Sequence, residues 1–171
     1  MVPSFESMTA DILLHPMFED CKNFVHHGVD NTVYDHSLAT ARMAYRMARA
    51  LGVSEEELIS VTRAALLHDF FGYDWRDEWF KRFLRHYRGL RRFTHMHAFV
   101  HGPLAAKRAS RYFALTDKQR EAIASHMFPL APMLPRSREG WIITVADKVV
   151  AAKEMSQCVY RAIARKMLIM D

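Results

Sequence analysis

The chain has 171 residues, half of them apolar, and a formal charge of +5. A chain of this length buries roughly 70% of the surface its unfolded form exposes, so a single domain over 1–171 with a substantial core is expected. No apolar run approaches the ~18 residues of a membrane span. Cys21 and Cys158 are too few and too far apart for a disulfide framework, and the opening MVPSFESMTADILLHPMF has no basic leader. A cytoplasmic protein with no membrane partner is the expectation. The positive charge favours anionic partners without naming one.

Ala, Leu, Met, Arg, Lys and Glu dominate, with six glycines and six prolines, which predicts an all-α bundle of six or seven helices. A first helix is expected over about Met8 to Phe24. The second runs from about Thr32 to Leu51, where Leu38, Ala41, Tyr45 and Ala48 recur at steps of three and four, and Gly52 supplies the stop. Ser54 and Glu57 make a capping-box pattern that opens a third helix ending at His68. A fourth covers about Arg76 to Tyr87, closed by Gly89. Pro103 suits the first turn of a helix reaching Tyr112. Thr116 and Gln119 repeat the capping box for a helix ending near Met127. After the loop FPLAPMLPRS, a long final helix begins near Arg138.

The segment ALLHDFFGYDW places His68 and Asp69 together at the end of an apolar helix. Adjacent helical residues do not share a face, so the dipeptide alone is a weak signal. Two neighbours strengthen it. His36 lies in a helical segment whose other periodic residues are apolar. Asp147 lies in WIITVADKVV, where a buried carboxylate needs a cation, a hydrogen-bond network or a metal. Imidazole with carboxylate suits Fe, Mn, Zn, Co or Ni.

With these residues in place the sequence resembles the HD-domain superfamily of metal-dependent phosphohydrolases, over about Val25 to Lys153. The family pattern of an early His, a central His-Asp and a late Asp matches His36, His68, Asp69 and Asp147. His101 and His126 fall where two-metal members carry extra histidines. The resemblance implies an all-α fold with one divalent ion on His36, His68, Asp69 and Asp147, and a second on His101 and His126 with Asp69 bridging. Ser125 and Met127 flank His126 where many relatives pair histidines, so the second ion is expected to be one protein ligand short. A metal-bound hydroxide is the implied nucleophile, cleaving a phosphoester or phosphoanhydride of a nucleotide or other small phosphorylated substrate. A di-iron oxygenase on the same scaffold is the alternative, and a nucleic-acid-binding protein ranks last.

Phosphates away from the metals need donors, so catalytic and substrate-binding roles extend beyond His68 and Asp69. Arg63 reads either as a phosphate donor near the ligand-bearing end of its helix or as a structural salt bridge. Lys148 follows Asp147 and reaches phosphate or solvent. His97, four residues before His101, shares its face if that stretch is helical. His27 precedes the first ligand helix and is a candidate for the pocket mouth. The segment from Arg76 to Arg92 interleaves seven Lys or Arg residues with aromatics, which reads as a solvated amphipathic face or as a cationic lid. Trp75, Trp79 and Trp141 are expected in the core.

Overall fold

A computed structural model describes residues 3–26, 31–74 and 76–168, excepting the side chains at 90, 92, 93, 162, 163 and 166–168. The fold is all-α, and the described residues contain no strand, only an isolated antiparallel bridge between Val25 and Thr32. His27 and Trp75 lie outside the described residues.

The expected first helix is broken. Helix α1 (Phe5–Leu13) ends before Pro16, which starts the short α2 (Pro16–Glu19), and a 3-10 turn follows at Asp20–Asn23. Proline tolerates a first helical turn but not a helix interior, so the chain restarts there. Helix α3 (Val33–Ala50) is capped by the Thr32 side chain and α4 (Glu55–Leu67) by Ser54, close to the expected limits. Helix α5 (Glu78–Arg85) is shorter than expected, and Gly89 does not close a helix but starts α6 (Gly89–Thr94), with φ +55°. Helix α7 (His97–Tyr112) begins six residues before Pro103, which therefore sits inside the helix and not in its first turn. Helix α8 (Asp117–Ser125) carries the full Thr116–Gln119 capping box, and α9 (Arg138–Leu168) closes the bundle.

Helix α4 packs against α1, α3, α7, α8 and α9. Its last turns are fully buried from Ala64 to Leu67, as is Phe70 just beyond, which stacks toward Phe18 and meets Phe113 edge-on. Apolar burial on this scale is what drives the chain to carry His68 and Asp69 into the interior. Two glycines keep that neighbourhood tight. Gly72 adopts φ +74°, and a Cβ there would overlap the Arg108 guanidinium, which donates to the Gly72 carbonyl. Gly102 lets α7 approach α8, since a Cβ would lie 2.7 Å from the Ala124 carbonyl oxygen. Trp79 and Trp141 are not core residues; they are about half exposed.

Arg63 faces away from the His-Asp end of α4. Its guanidinium forks the Asp11 carboxylate at 2.6 and 2.8 Å and donates to the Met8 carbonyl at 2.8 Å, tying α4 to α1. Five residues turn a helix by about 140° relative to the starting face, so Arg63 and His68 do not point the same way. The salt-bridge reading holds and the catalytic and substrate-binding roles for Arg63 are withdrawn. The hydrogen bond from Arg63 holds the Asp11 carboxyl below its usual range, against the opposing effect of partial burial. A depressed carboxylate stabilises the fold above its unfolded value and loses that contribution as pH falls through its folded value. Asp11→Asn is therefore expected to cost roughly 0.5–1 kcal/mol at neutral pH, this being a largely exposed pair. Urea denaturation at several pH values checks it: the gap to the wild type should close on acidification, with metal content unchanged.

Candidate metal centre

Each of the six residues that the sequence offers as metal ligands arrives from a structural position that fixes its direction. His36 is in the first turns of α3, His101 in α7 and Asp147 in α9. His68 and His126 are the C-caps of α4 and α8, where the negative end of the helix dipole favours a cation. All six are buried: His36 and His68 completely, with Asp69 at 3% and His101 the most exposed at 6%.

The carboxylate of Asp69 lies between two groups of imidazoles. Its Oδ2 faces His26 Nε2 at 3.0 Å, His68 Nε2 at 3.5 Å and His36 Nε2 at 3.9 Å. Its Oδ1 faces His101 Nε2 at 3.3 Å and His126 Nε2 at 3.5 Å. Asp147 Oδ1 joins the first group, 3.0 Å from His36 Nε2 and 3.7 Å from His68 Nε2. Donor atoms of His36, His68 and Asp147, and likewise of His68, Asp69 and His126, lie within 4.8 Å of one another.

Hydrogen bonding leaves the Nε2 atoms as the inward lone pairs. His68 Nδ1 donates to the Ala65 carbonyl, His101 Nδ1 to the His97 carbonyl and His126 Nδ1 to the Ile123 carbonyl, all at 2.7–2.8 Å. A carbonyl only accepts, so each Nδ1 carries the proton and each Nε2 is open to a metal. His36 Nδ1 uses the Glu154 carboxylate in the same way, at 2.9 Å.

Burial pulls the His36 imidazole down, but its bonds to Asp147 and Glu154, with Asp69 nearby, outweigh it and raise the group to about 10. Burial takes His126 the other way, to about 4. Burial alone would raise the carboxyls of Asp69 and Asp147; the surrounding histidines overcome it and hold both well below the carboxylate range. Ionised carboxylates this deep, among imidazoles whose Nε2 atoms face inward, form a donor set for a divalent transition ion, which would take the place of the proton that His36 shares with Asp147. The fit is supported by two buried atoms without a hydrogen-bond partner, His68 Nε2 and Asp69 Oδ1, one on each side of the bridge. The cluster is able to hold divalent metal.

A cavity of about 600 Å³ opens onto this cluster. Lys148 and His97 both line it. Lys148 Nζ lies 2.6 Å from Asp147 Oδ2 and 3.3 Å from the His126 carbonyl. His97 stacks on His101, and its Nδ1 is 3.0 Å from the Tyr73 hydroxyl. Helix α5 supplies one wall through Phe80, Lys81 and Leu84, and among the described residues no arginine lines the cavity. Arg76 instead pairs with Asp74.

Two site residues were not anticipated. Glu154 is seven residues after Asp147, hence on the same face of α9, a spacing that would have flagged it. His26 is in the loop before α3 and had no distinguishing signal beside His27.

The fold and site thus define an all-α protein with a buried histidine–aspartate centre bridged by one carboxylate. The HD domain family model matches residues 33–152, and the chain belongs to the HD-domain family. No curated protein and no solved structure gave a match.

Metal analysis of protein purified without chelator is expected to find up to two divalent ions per chain. Asp69→Asn, which removes charge from the shared ligand, should lose both, and His101→Ala should retain one. Wild-type protein that takes up none of Fe, Mn, Co, Ni or Zn would remove the basis for the centre.

Proposed function

We propose that this chain is a metal-dependent phosphohydrolase acting on a small phosphorylated substrate. The observation that carries the reading is the division of Asp69, whose two oxygens face separate groups of imidazole Nε2 atoms. One carboxylate between two donor groups suits a pair of ions a few ångströms apart. Such a pair, when bound, acidifies water and neutralises charge on phosphoryl oxygens.

The chain's own residues then divide the remaining work. The Nδ1 anchors keep the imidazoles in one tautomer and orientation. Lys148, beside Asp147 at the cavity floor, is placed to donate to a phosphoryl oxygen. His97 backs His101 and presents its ring to the cavity as a substrate contact. Phe80, Leu84, Met96, Met127 and Leu130 make the walls apolar and limit water around the reacting ester. The volume lies within the range of small-molecule sites, roughly 300–1,000 Å³.

These walls carry two lysines, Lys81 and Lys148, as their cationic side chains among the described residues. Both already have carboxylate partners, Glu78 and Asp147. That supply suits a phosphomonoester with a flat or apolar body, such as a nucleoside monophosphate, better than a polyphosphate. Two lysines on the cavity wall also favour an anionic substrate over the uncharged one expected of the oxygenase alternative.

The test is phosphate release by metal-loaded protein from nucleoside mono-, di- and triphosphates and p-nitrophenyl phosphate, with and without oxygen. Release should be independent of oxygen, strongest with monoesters and abolished by chelation. Lys148→Met should lower kcat/KM about 10- to 100-fold, the worth of a hydrogen bond to a charged group. Oxygen consumption coupled to turnover, with no phosphate released, would replace this reading with the oxygenase.

A further inference from the structure

The geometry points to His26 as a further metal ligand, binding through Nε2 alongside Asp69 Oδ2 and closing the coordination sphere on the cavity side. Neither the sequence pattern nor the family match, which begins at residue 33, includes this residue.

Four observations carry the assignment. First, His26 Nε2 lies 3.0 Å from Asp69 Oδ2, the oxygen that also faces His36 and His68, and it is nearer than either. Donor atoms of His26, His36 and Asp69 lie within 4.8 Å of one another. Second, the ring is oriented as a ligand would be. It stacks on His36 with centroids 3.7 Å apart and planes at 17°, so the two imidazoles present parallel edges. Its Nδ1 lies on the Glu154 side, 3.8 Å from the Oε2 that anchors His36. Its inner nitrogen points toward the cluster like those of the other histidines, although 3.8 Å from Glu154 is longer than the 2.7–2.9 Å at which their Nδ1 atoms meet an acceptor.

Third, backbone hydrogen bonds hold His26 in place. His26 N donates to the Asn31 carbonyl at 2.8 Å, and Val33 N donates to the Phe24 carbonyl at 2.8 Å, across the Val25–Thr32 bridge. Residues 24–26 are thereby tied to the start of α3, which carries His36. Fourth, the side chain is 9% exposed yet lines the cavity together with Asp69, so it forms part of the wall beside that carboxylate.

The two sides of Asp69 are then unequal. The Oδ2 side gathers His26, His36, His68 and Asp147, whereas the Oδ1 side has His101 and His126. An ion on the Oδ2 side would be nearly enclosed by protein and hold fewer solvent positions than its neighbour. Substrate oxygen would enter mainly on the His101–His126 side, or by displacing His26.

This inference rests on the centre holding metal and not on the reaction, and the experiment separates the two. Metal-free wild type, His26→Ala and His26→Phe are titrated with Co²⁺, reading the visible absorption of the bound ion and its affinity by chelator competition. Phenylalanine keeps a ring against His36 and removes the donor nitrogen. Both variants should bind the tighter Co²⁺ about 10- to 100-fold more weakly, with a more intense band from lower coordination. In unmodified protein loaded with Co²⁺, exchangeable hyperfine-shifted imidazole N–H signals should number five, for His26, His36, His68, His101 and His126, and not four. This second readout does not depend on a variant folding. Four signals, or weakening in His26→Ala alone, would reduce His26 to a packing role and overturn the inference with the centre intact. Wild type that binds no Co²⁺ would overturn the centre itself.

Discussion

Asp69 is a carboxylate held almost entirely out of water, and the rest of the structure is arranged around that fact. Isolating an ionised carboxylate in a protein interior costs several kcal/mol unless partners compensate. Here the compensation comes from imidazoles on α3, α4, α7 and α8 and on the loop before α3, several of them within 4 Å. None of these elements can shift alone without leaving a buried charge short of partners. The apolar packing of α4 therefore pushes Asp69 inward, while the electrostatics of Asp69 draw the imidazoles of α3, α7 and α8 toward one point. Metal binding and folding stability are coupled in such a site, because the ion supplies the charge that the protein leaves outstanding.

Orientation is set from behind. Three of the histidines are anchored by carbonyls three or four residues upstream in their own helices, an interaction that depends only on helical geometry. His36 is different, since its anchor is Glu154, 118 residues away. A carboxylate behind an imidazole makes it more basic than a carbonyl does, so His36 is the strongest donor of the set. The group that anchors it, on α9, is the one that His26 also approaches. The Oδ2 side of the centre is thus more anionic and more tightly braced than the Oδ1 side.

Much of this was legible in the residues. The caps at Thr32, Ser54 and Thr116 set helix starts because their signal is local. His36 and Asp147 stood out as polar groups in apolar segments and gave weight to the His68-Asp69 pair, whereas His101 and His126 were picked out only by the resemblance to the HD-domain family. What failed had a nonlocal cause or a neglected angle. Pro16 was passed over within the expected first helix yet restarts the chain as α2, and Pro103 read as a first-turn residue yet is absorbed within α7; tertiary packing decides between these. Arg63 was placed by its distance along the helix, whereas its azimuth sends it to Asp11. His26 and His27 are adjacent in a loop, where no periodicity tells which imidazole turns inward. Glu154 sits among ordinary helical charges and is exposed as special only by its register with Asp147.

The basic character of the chain has a different meaning from the one its total suggests. Five of the described arginines are engaged by carboxylates: Arg63 by Asp11, Arg76 by Asp74, Arg85 by Glu78, Arg120 by Asp117 and Arg138 by Glu57. Most of these pairs are partly or fully exposed and contribute little to stability, but they remove the guanidinium forks that would otherwise grip a phosphate at two points. Lysine, a point charge on a flexible stem, is what reaches the cavity. A site recognising several phosphates needs many fixed donors, and this one concentrates its fixed polarity on the floor, at Asp69 and its imidazoles. The walls around that floor are apolar, with Phe80 and Leu84 of α5 among them. The segment most conspicuous for its positive charge acts at the cavity chiefly through its apolar face.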